Sequence, residues 1–248
     1  MCLVLYICKM ETHTRWKYIF IGLSIAYLLL TLLETAPQDT ANWIKQLQFI
    51  IKPLLITSLG IFFFTATASA NSYFRQLMLA GLLFSVAGDT LLMFTDQGEH
   101  FFLFGLGAFL MTHICYILAF SGIKKEQKGF VIRKKWPAIP LIVFVLAFIA
   151  LLWNDLAPMM RLPVATYAIV IGTMAAACLN LKEKVAHPAF LTVMAGALLF
   201  MLSDSLIALT KFKAADFAIP LPHFCIILTY LLGQYLITTG AISLHRSK

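Results

Sequence analysis

The chain contains eight apolar runs, each long enough to cross a membrane as a helix. A helix rises about 1.5 Å per residue, so about 20 apolar residues are needed to cover a hydrocarbon core roughly 30 Å thick. The predicted spans cover residues 18–33, 49–69, 76–94, 101–121, 136–153, 160–181, 189–209 and 220–243. This pattern predicts an all-α integral membrane protein with eight transmembrane helices and a single polytopic domain over residues 1–248.

Composition and motifs exclude several other classes of protein. Only 12% of the 248 residues are charged and 61% are hydrophobic, whereas a soluble domain carries about 25% charged residues. The five cysteines form no CxxC pair, which argues against a disulfide framework or a zinc site. The chain also lacks the HExxH, GxSxG, P-loop and GxGxxG patterns, so we expect no metal and no cofactor.

The Lys and Arg residues fall mainly on one side of the predicted helices. Residues 1–16 are predicted to form an N-terminal tail, and most of the 19 basic residues lie on the same face as this tail, including the cluster Lys124 to Lys135. The opposite face has Lys45, Arg161, Lys211 and Lys213. Because basic residues in short loops stay in the cytoplasm, both termini are predicted to be cytoplasmic. Loops beside anionic lipid explain the net charge of +8, and no nucleic-acid partner is expected.

An internal repeat relates the two halves of the chain. Residues 80–94, AGLLFSVAGDTLLMF, align without a gap on residues 195–209, AGALLFMLSDSLIAL, and the alignment pairs Asp89 with Asp204. The same offset pairs Lys52 with Tyr167. A shift of four helices preserves their direction across the membrane, so the halves are predicted to be parallel four-helix repeats.

Three charged residues lie well inside the predicted spans: Lys52, Asp89 and Asp204. Ionisable residues in hydrocarbon are costly and usually mark a working site. Small residues beside each aspartate allow close helix packing, so we expect Asp89 and Asp204 to face each other across the repeat axis. Two carboxyl groups so placed would share one proton and could serve as acid and base. The alternative is that either aspartate is only hydrogen-bonded within the packing.

Other polar residues in the spans are weaker candidates for an orienting role. They are His113, Tyr116, Tyr167, Ser203, Tyr230 and Gln234. A lone histidine in a span is more often a packing residue than a ligand, and mid-depth tyrosines need partners for their hydroxyl groups. Lys52, beside Pro53, fits either a functional role or an anchor at the start of a helix.

Four segments together resemble the YhhN-like lysoplasmalogenase family. They are FSVAGDTLLMF, FGLGAFLMTHICYILAF, GALLFMLSDSLIAL and TYLLGQYLI, and the pair Lys52 and Pro53 also fits the second helix of the family. The resemblance covers nearly the whole chain.

The resemblance implies an eight-helix membrane hydrolase that cleaves the vinyl ether bond of lysoplasmalogens. Its products would be a fatty aldehyde and glycerophosphocholine or glycerophosphoethanolamine, and its partners a lysophospholipid substrate and membrane lipid. Such a reaction needs a proton donor and a base for water. We expect one of Asp89 and Asp204 to be the donor, with Asp204 favoured, and the other to stabilise the cation and activate water. Lys52 and Arg161 would hold the substrate phosphate.

Two alternative functions remain at the level of sequence: a proton-coupled transporter, and a lipid-binding or structural protein that shows neither transport nor turnover. Paired membrane acids in a repeat also suit a proton-coupled transporter of a small or lipid-like substrate.

The chain has no N-x-S/T sequon, which favours a bacterial inner membrane over the endoplasmic reticulum.

Overall fold

A computed structural model describes residues 2–33, 38–68, 72–123, 129–213 and 219–246, with side chains described from residue 12 to residue 244 apart from residues 34–41 and the other gaps. Lys124, Lys125 and Lys128 of the predicted cytoplasmic cluster lie outside the described residues. Within the described ranges, the protein is helical and contains no strand.

The described backbone forms nine α-helices. Their bounds are α1 (Cys2–Leu32), α2 (Gln38–Ala66), α3 (Tyr73–Leu92), α4 (Glu99–Ser121), α5 (Phe130–Arg133), α6 (Ile139–Leu152), α7 (Pro158–Leu179), α8 (His187–Phe212) and α9 (Pro222–Arg246). Short 3-10 helices at Thr95–Gln97 and Trp136–Ala138 precede α4 and α6. A helix satisfies its own backbone hydrogen bonds, which a lipid environment requires.

Six of these helices contain segments long and apolar enough to cross a membrane. The segments are Thr12–Leu32, Asn42–Ala66, Glu99–Ser121, Pro158–Leu179, His187–Phe212 and Pro222–Leu244. The other two predicted spans correspond to α3 and to α6, which has 14 residues. At 1.5 Å per residue α6 is only about 21 Å long. The six apolar helices, together with the purely helical structure of the described residues, confirm the prediction of an all-helical, multi-pass membrane protein.

Helix α2 begins well before the predicted boundary at residue 49. It starts at Gln38, so Pro53 lies inside the helix and Lys52 is not at its start. Lys52 lies about 15 Å along the helix axis from Asn42, at 1.5 Å per residue, and is half-buried. Lys52 therefore does not lie at a helix start, because residues 38–48 also form helix, and its role as an anchor or as a functional residue stays a prediction.

The chain divides into two compact units, residues 1–112 and 113–248, with the division inside α4. In the first unit α1 packs on α2 and α2 on α3; in the second α6 packs on α7, α7 on α8 and α8 on α9. The α8–α9 contact is the most extensive, and it brings two glycines together. A Cβ atom on Gly196 would lie 2.7 Å from the Ile237 backbone nitrogen and 2.8 Å from the Gly233 oxygen. Small residues thus let the backbones of α8 and α9 approach closely.

Candidate functional site

The carboxylate of Asp204 on α8 is held by two residues from other helices of the second unit. The Tyr167 hydroxyl on α7 donates a hydrogen bond to Asp204 Oδ2. His113 Nε2 on α4 lies 3.2 Å from the same oxygen and 3.0 Å from the Tyr167 hydroxyl oxygen. Both contacts engage Oδ2, and no described residue donates a hydrogen bond to Oδ1. The three side chains form one cluster, which we call the Asp204 cluster.

This cluster is almost completely buried. The side chain of His113 is 0% exposed and that of Asp204 is 9% exposed, and Tyr167 is buried as well. Phe200, one helix turn before Asp204 on α8, places its ring edge-to-face against His113 at a centroid distance of 4.7 Å. Because burial excludes water from the polar atoms, hydrogen bonds and charges inside the cluster act more strongly than they would in water.

The hydrogen-bond pattern indicates which nitrogen of His113 carries a proton. An ionised carboxylate only accepts hydrogen bonds, so His113 must donate from Nε2 to contact Asp204 Oδ2. His113 Nδ1 is buried and has no hydrogen-bond partner among the described residues. An Nε2–H tautomer therefore fits the cluster, with a bare Nδ1 on the opposite side of the ring.

Tyr116 and Gln234 form a second buried polar contact, separate from the carboxylate. The Tyr116 hydroxyl donates a hydrogen bond of 2.9 Å to Gln234 Oε1, and both side chains are 0% exposed. Tyr230, one turn before Gln234 on α9, packs edge-to-face on Phe200 at 5.4 Å. These contacts join α4, α8 and α9 around the interior of the second unit.

Ser203 precedes Asp204 but bonds to the neighbouring helix. Its hydroxyl donates a 3.0 Å hydrogen bond to the backbone oxygen of Ile226 on α9. It thereby links the α8 turn that carries Asp204 to α9.

Asp89 lies on α3 in the first unit. It is buried, with only 4% of the residue exposed. Gly88 beside it lies so close to Phe109 on α4 that an added Cβ would come within 2.7 Å of the ring. One turn earlier, the Ser85 hydroxyl contacts that of Thr112 at 3.0 Å. Asp89 therefore lies on a tightly packed face of α3, and its predicted pairing with Asp204 remains a prediction.

The two residues predicted to bind phosphate also lie in different units. Lys52 is on α2, whereas Arg161 is in the first turn of α7, with its guanidinium carbon 5.2 Å from the centroid of the Trp153 ring. Arg161 Nε is buried and has no hydrogen-bond partner among the residues described. Nearby in sequence, Asp155 is neutralised by Lys213 at 2.8 Å. No described carboxylate forms an ion pair with Arg161.

Sequence reasoning missed two aromatic residues of the site, Phe200 and Trp153. Phe200 contacts both His113 and Tyr230, and Trp153 lies beneath Arg161. Among 21 phenylalanines, no sequence signal distinguishes Phe200 from ordinary lipid-facing or core residues. Within the part of the chain that the structure describes, no group of three or more His, Cys, Asp and Glu residues could hold a metal ion.

Comparison with known proteins places the chain among membrane enzymes of one family. No solved structure matches it. The human lysoplasmalogenase TMEM86A is 31% identical over 228 residues, which cover 90% of this chain and 87% of the relative. The Rattus norvegicus lysoplasmalogenase TMEM86B is 28% identical over 228 residues, covering 92% and 84%. The Mycobacterium tuberculosis lysoplasmalogenase is 28% identical over 170 residues, covering 67% and 60%. The YhhN family pattern matches residues 47–241, and the chain belongs to the YhhN family.

Proposed function

We propose that this protein is a membrane hydrolase that cleaves the vinyl ether bond of lysoplasmalogens. The observation that carries the proposal is the Asp204 cluster, a buried carboxylate with two neighbours on one oxygen and no described hydrogen bond on the other. Relatives named lysoplasmalogenase, similar over most of the chain, support the same substrate class.

Vinyl ether hydrolysis begins with protonation of carbon. A proton adds to the alkenyl carbon that does not carry oxygen, and the electrons of the double bond form the new C–H bond. The resulting oxocarbenium ion takes up water, which returns a proton to the catalytic carboxylate. The hemiacetal then loses its glycerol oxygen, which takes the remaining proton, and a fatty aldehyde forms. One water molecule is consumed, and the acid is regenerated.

Asp204 has the arrangement that a proton donor needs. Tyr167 donates to Oδ2, and His113 lies within hydrogen-bond distance of the same atom. Such donors stabilise the carboxylate that remains after proton transfer. Oδ1 is then the oxygen that carries the transferable proton. The negative charge left on Asp204 also stabilises the neighbouring oxocarbenium ion.

We assign to Asp89 the role of the second carboxyl group, which stabilises the cation and activates water. The assignment rests on its equivalent position in the repeat and on its burial in α3. We assign an orienting role around the Asp204 cluster to Tyr116, Gln234 and Tyr230. The hydrogen bond of Ser203 to α9 holds in place the helix turn that carries Asp204.

Arg161 and Lys52 are assigned to the substrate phosphate. Arg161 has a buried, unpartnered Nε and no carboxylate partner among the described side chains. A guanidinium can bind phosphate through two hydrogen bonds, which makes it the stronger of the two candidates. Lys52 contributes a point charge from α2.

The proposed topology has eight spans in two parallel four-helix repeats, with both termini in the cytoplasm of a bacterial cell. Helices α3 and α6 supply the two spans beyond the six apolar ones. Consecutive packing of α1, α2 and α3, and of α6, α7 and α8, is compatible with a repeat. A reporter fused to the C-terminus tests the orientation, since activity restricted to the periplasm would contradict it.

The direct test of the function is incubation of the purified protein with a lysoplasmalogen and, separately, with its saturated alkyl ether analogue. We expect aldehyde, detected by mass spectrometry, only from the vinyl ether, because the alkyl ether has no double bond to protonate. Choline and ethanolamine head groups are compared in parallel. Substrate flux into vesicles without aldehyde would instead favour a transporter and reject the hydrolase.

A further inference from the structure

Two buried polar atoms of the second unit have no hydrogen-bond partner among the described residues, one on each of the two helices that carry Tyr116 and Gln234. They are His113 Nδ1 on α4 and Thr238 Oγ1 on α9. Both residues are 0% exposed. An unpaired buried polar atom is costly, and in folded proteins such atoms are commonly satisfied by buried water molecules that make about three hydrogen bonds each.

Helix spacing places each of these residues about one turn from a member of the Tyr116–Gln234 contact. Tyr230, Gln234 and Thr238 are spaced four residues apart, so they share one face of α9, with about 6 Å of axial rise between neighbours. His113 and Tyr116 are three residues apart and share one face of α4. The hydrogen bond from Tyr116 to Gln234 joins the two faces in the middle. The polar groups thus form a series from Thr238 to His113, which itself contacts Asp204.

We propose that Tyr116, Gln234 and Thr238 form a water-binding path that supplies water and protons to His113 and Asp204. Water molecules bridge Thr238 to Gln234 and Tyr116 to His113 Nδ1, where each has at least two polar partners. This path rests on the proposed hydrolase function, because hydrolysis consumes one water molecule per turnover in a site lined by apolar helices. Phe200, packed against His113 and Tyr230, closes one side of the path.

The path can be tested without substrate by radiolytic hydroxyl labelling of the purified protein. Radicals formed from bound water label the side chains next to it, even buried ones. We expect labelling of Tyr116, normalised to the unfolded protein, to exceed that of Cys178, which is 0% exposed and donates to the Met174 sulfur. Normalisation to the unfolded protein removes the difference in intrinsic reactivity between cysteine and tyrosine.

Variants at α9 then test whether the water is used. Thr238→Val keeps the side-chain shape but removes the hydroxyl, and we expect loss of Tyr116 labelling and about tenfold lower kcat with KM unchanged. Thr238→Ser should restore most of the lost turnover. Thr239→Val is the matched control, because the Thr239 hydroxyl donates within its own helix to the Tyr235 oxygen at 2.8 Å.

The outcomes separate the path from the function. Tyr116 labelling no higher than that of Cys178, or equal effects of Thr238→Val and Thr239→Val, would overturn the path. Labelling as expected in a wild-type protein that releases no aldehyde would support the path and reject the hydrolase function.

Discussion

His113 Nε2 lies 3.2 Å from Asp204 Oδ2, although 91 positions separate the two residues in the chain. The contact joins α4 to α8 inside the second unit, with the imidazole completely buried. A buried carboxylate next to a hydrogen-bond donor is suited to hold and release a proton, because its charged form is stabilised without water.

Replacing Asp204 by Asn should abolish proton donation while preserving side-chain shape. General acid catalysis contributes roughly 100- to 10,000-fold, so we expect aldehyde release to fall by at least about 100-fold. Asp155→Asn is the matched control, since Asp155 forms an ion pair with Lys213. Mass-spectrometric aldehyde assays measure both variants, and near wild-type turnover of Asp204→Asn would reject Asp204 as the donor.

Replacing Tyr167 by Phe removes one donor to Asp204 Oδ2. A hydrogen bond to a charged group contributes about 1.5–3 kcal/mol, so we expect kcat to fall about 10- to 100-fold with little change in KM. Tyr73→Phe is the control, because Tyr73 is 67% exposed in the first unit. Equal kcat values for the two variants would show that the Tyr167 hydroxyl plays no part in the reaction.

Two substitutions of His113 separate its chemistry from its packing. His113→Gln keeps an amide donor near the position of Nε2, whereas His113→Leu keeps only apolar volume. We expect Gln to retain more turnover than Leu, because only Gln can donate to Asp204 Oδ2. Thermal unfolding in detergent should differ little between them. If Leu and Gln were equally active, His113 would be a packing residue.

Replacing Arg161 by Gln should weaken substrate binding more than chemistry. Loss of a charged contact to phosphate is expected to raise KM about 10- to 100-fold with kcat nearly unchanged. Arg133→Gln is the control, since Arg133 forms an ion pair with Glu183 outside the Asp204 cluster. Michaelis curves on mixed micelles measure both. An unchanged KM in Arg161→Gln would remove Arg161 from the phosphate site.

Replacing Gly196 by Ala should push α8 and α9 apart and lower the thermal stability of the protein. The added methyl group would meet backbone atoms of Ile237 and Gly233, and overpacking of this kind costs about 1–3 kcal/mol. Gly60→Ala is the control, because nothing lies within 4 Å of its added Cβ, and it should stabilise α2 by about 0.5–1 kcal/mol. Thermal unfolding in detergent compares the two. A Gly196→Ala protein as stable as wild type would contradict the close α8–α9 approach.

Much of the candidate site could be predicted from residue type and depth. Asp204, His113 and Tyr167 were all predicted, because polar side chains in apolar spans are few. Which of them meet could not be predicted, since helix spacing on one helix says nothing about rotation relative to the next. Tyr116 and Ser203 illustrate this, because they bond to Gln234 and Ile226 instead of to the carboxylate.

The sequence by itself determined that the chain is helical and membrane-embedded, because lipid leaves the backbone no hydrogen-bond partner except its own helix. Only the tertiary structure decided that Tyr167 and His113 converge on Asp204 and that Phe200 lines the cluster. The physical reason is that lipid is as apolar as a helix core, so hydropathy does not orient one helix against another. Orientation comes from close packing at residues such as Gly196 and Gly233 and from a few buried hydrogen bonds.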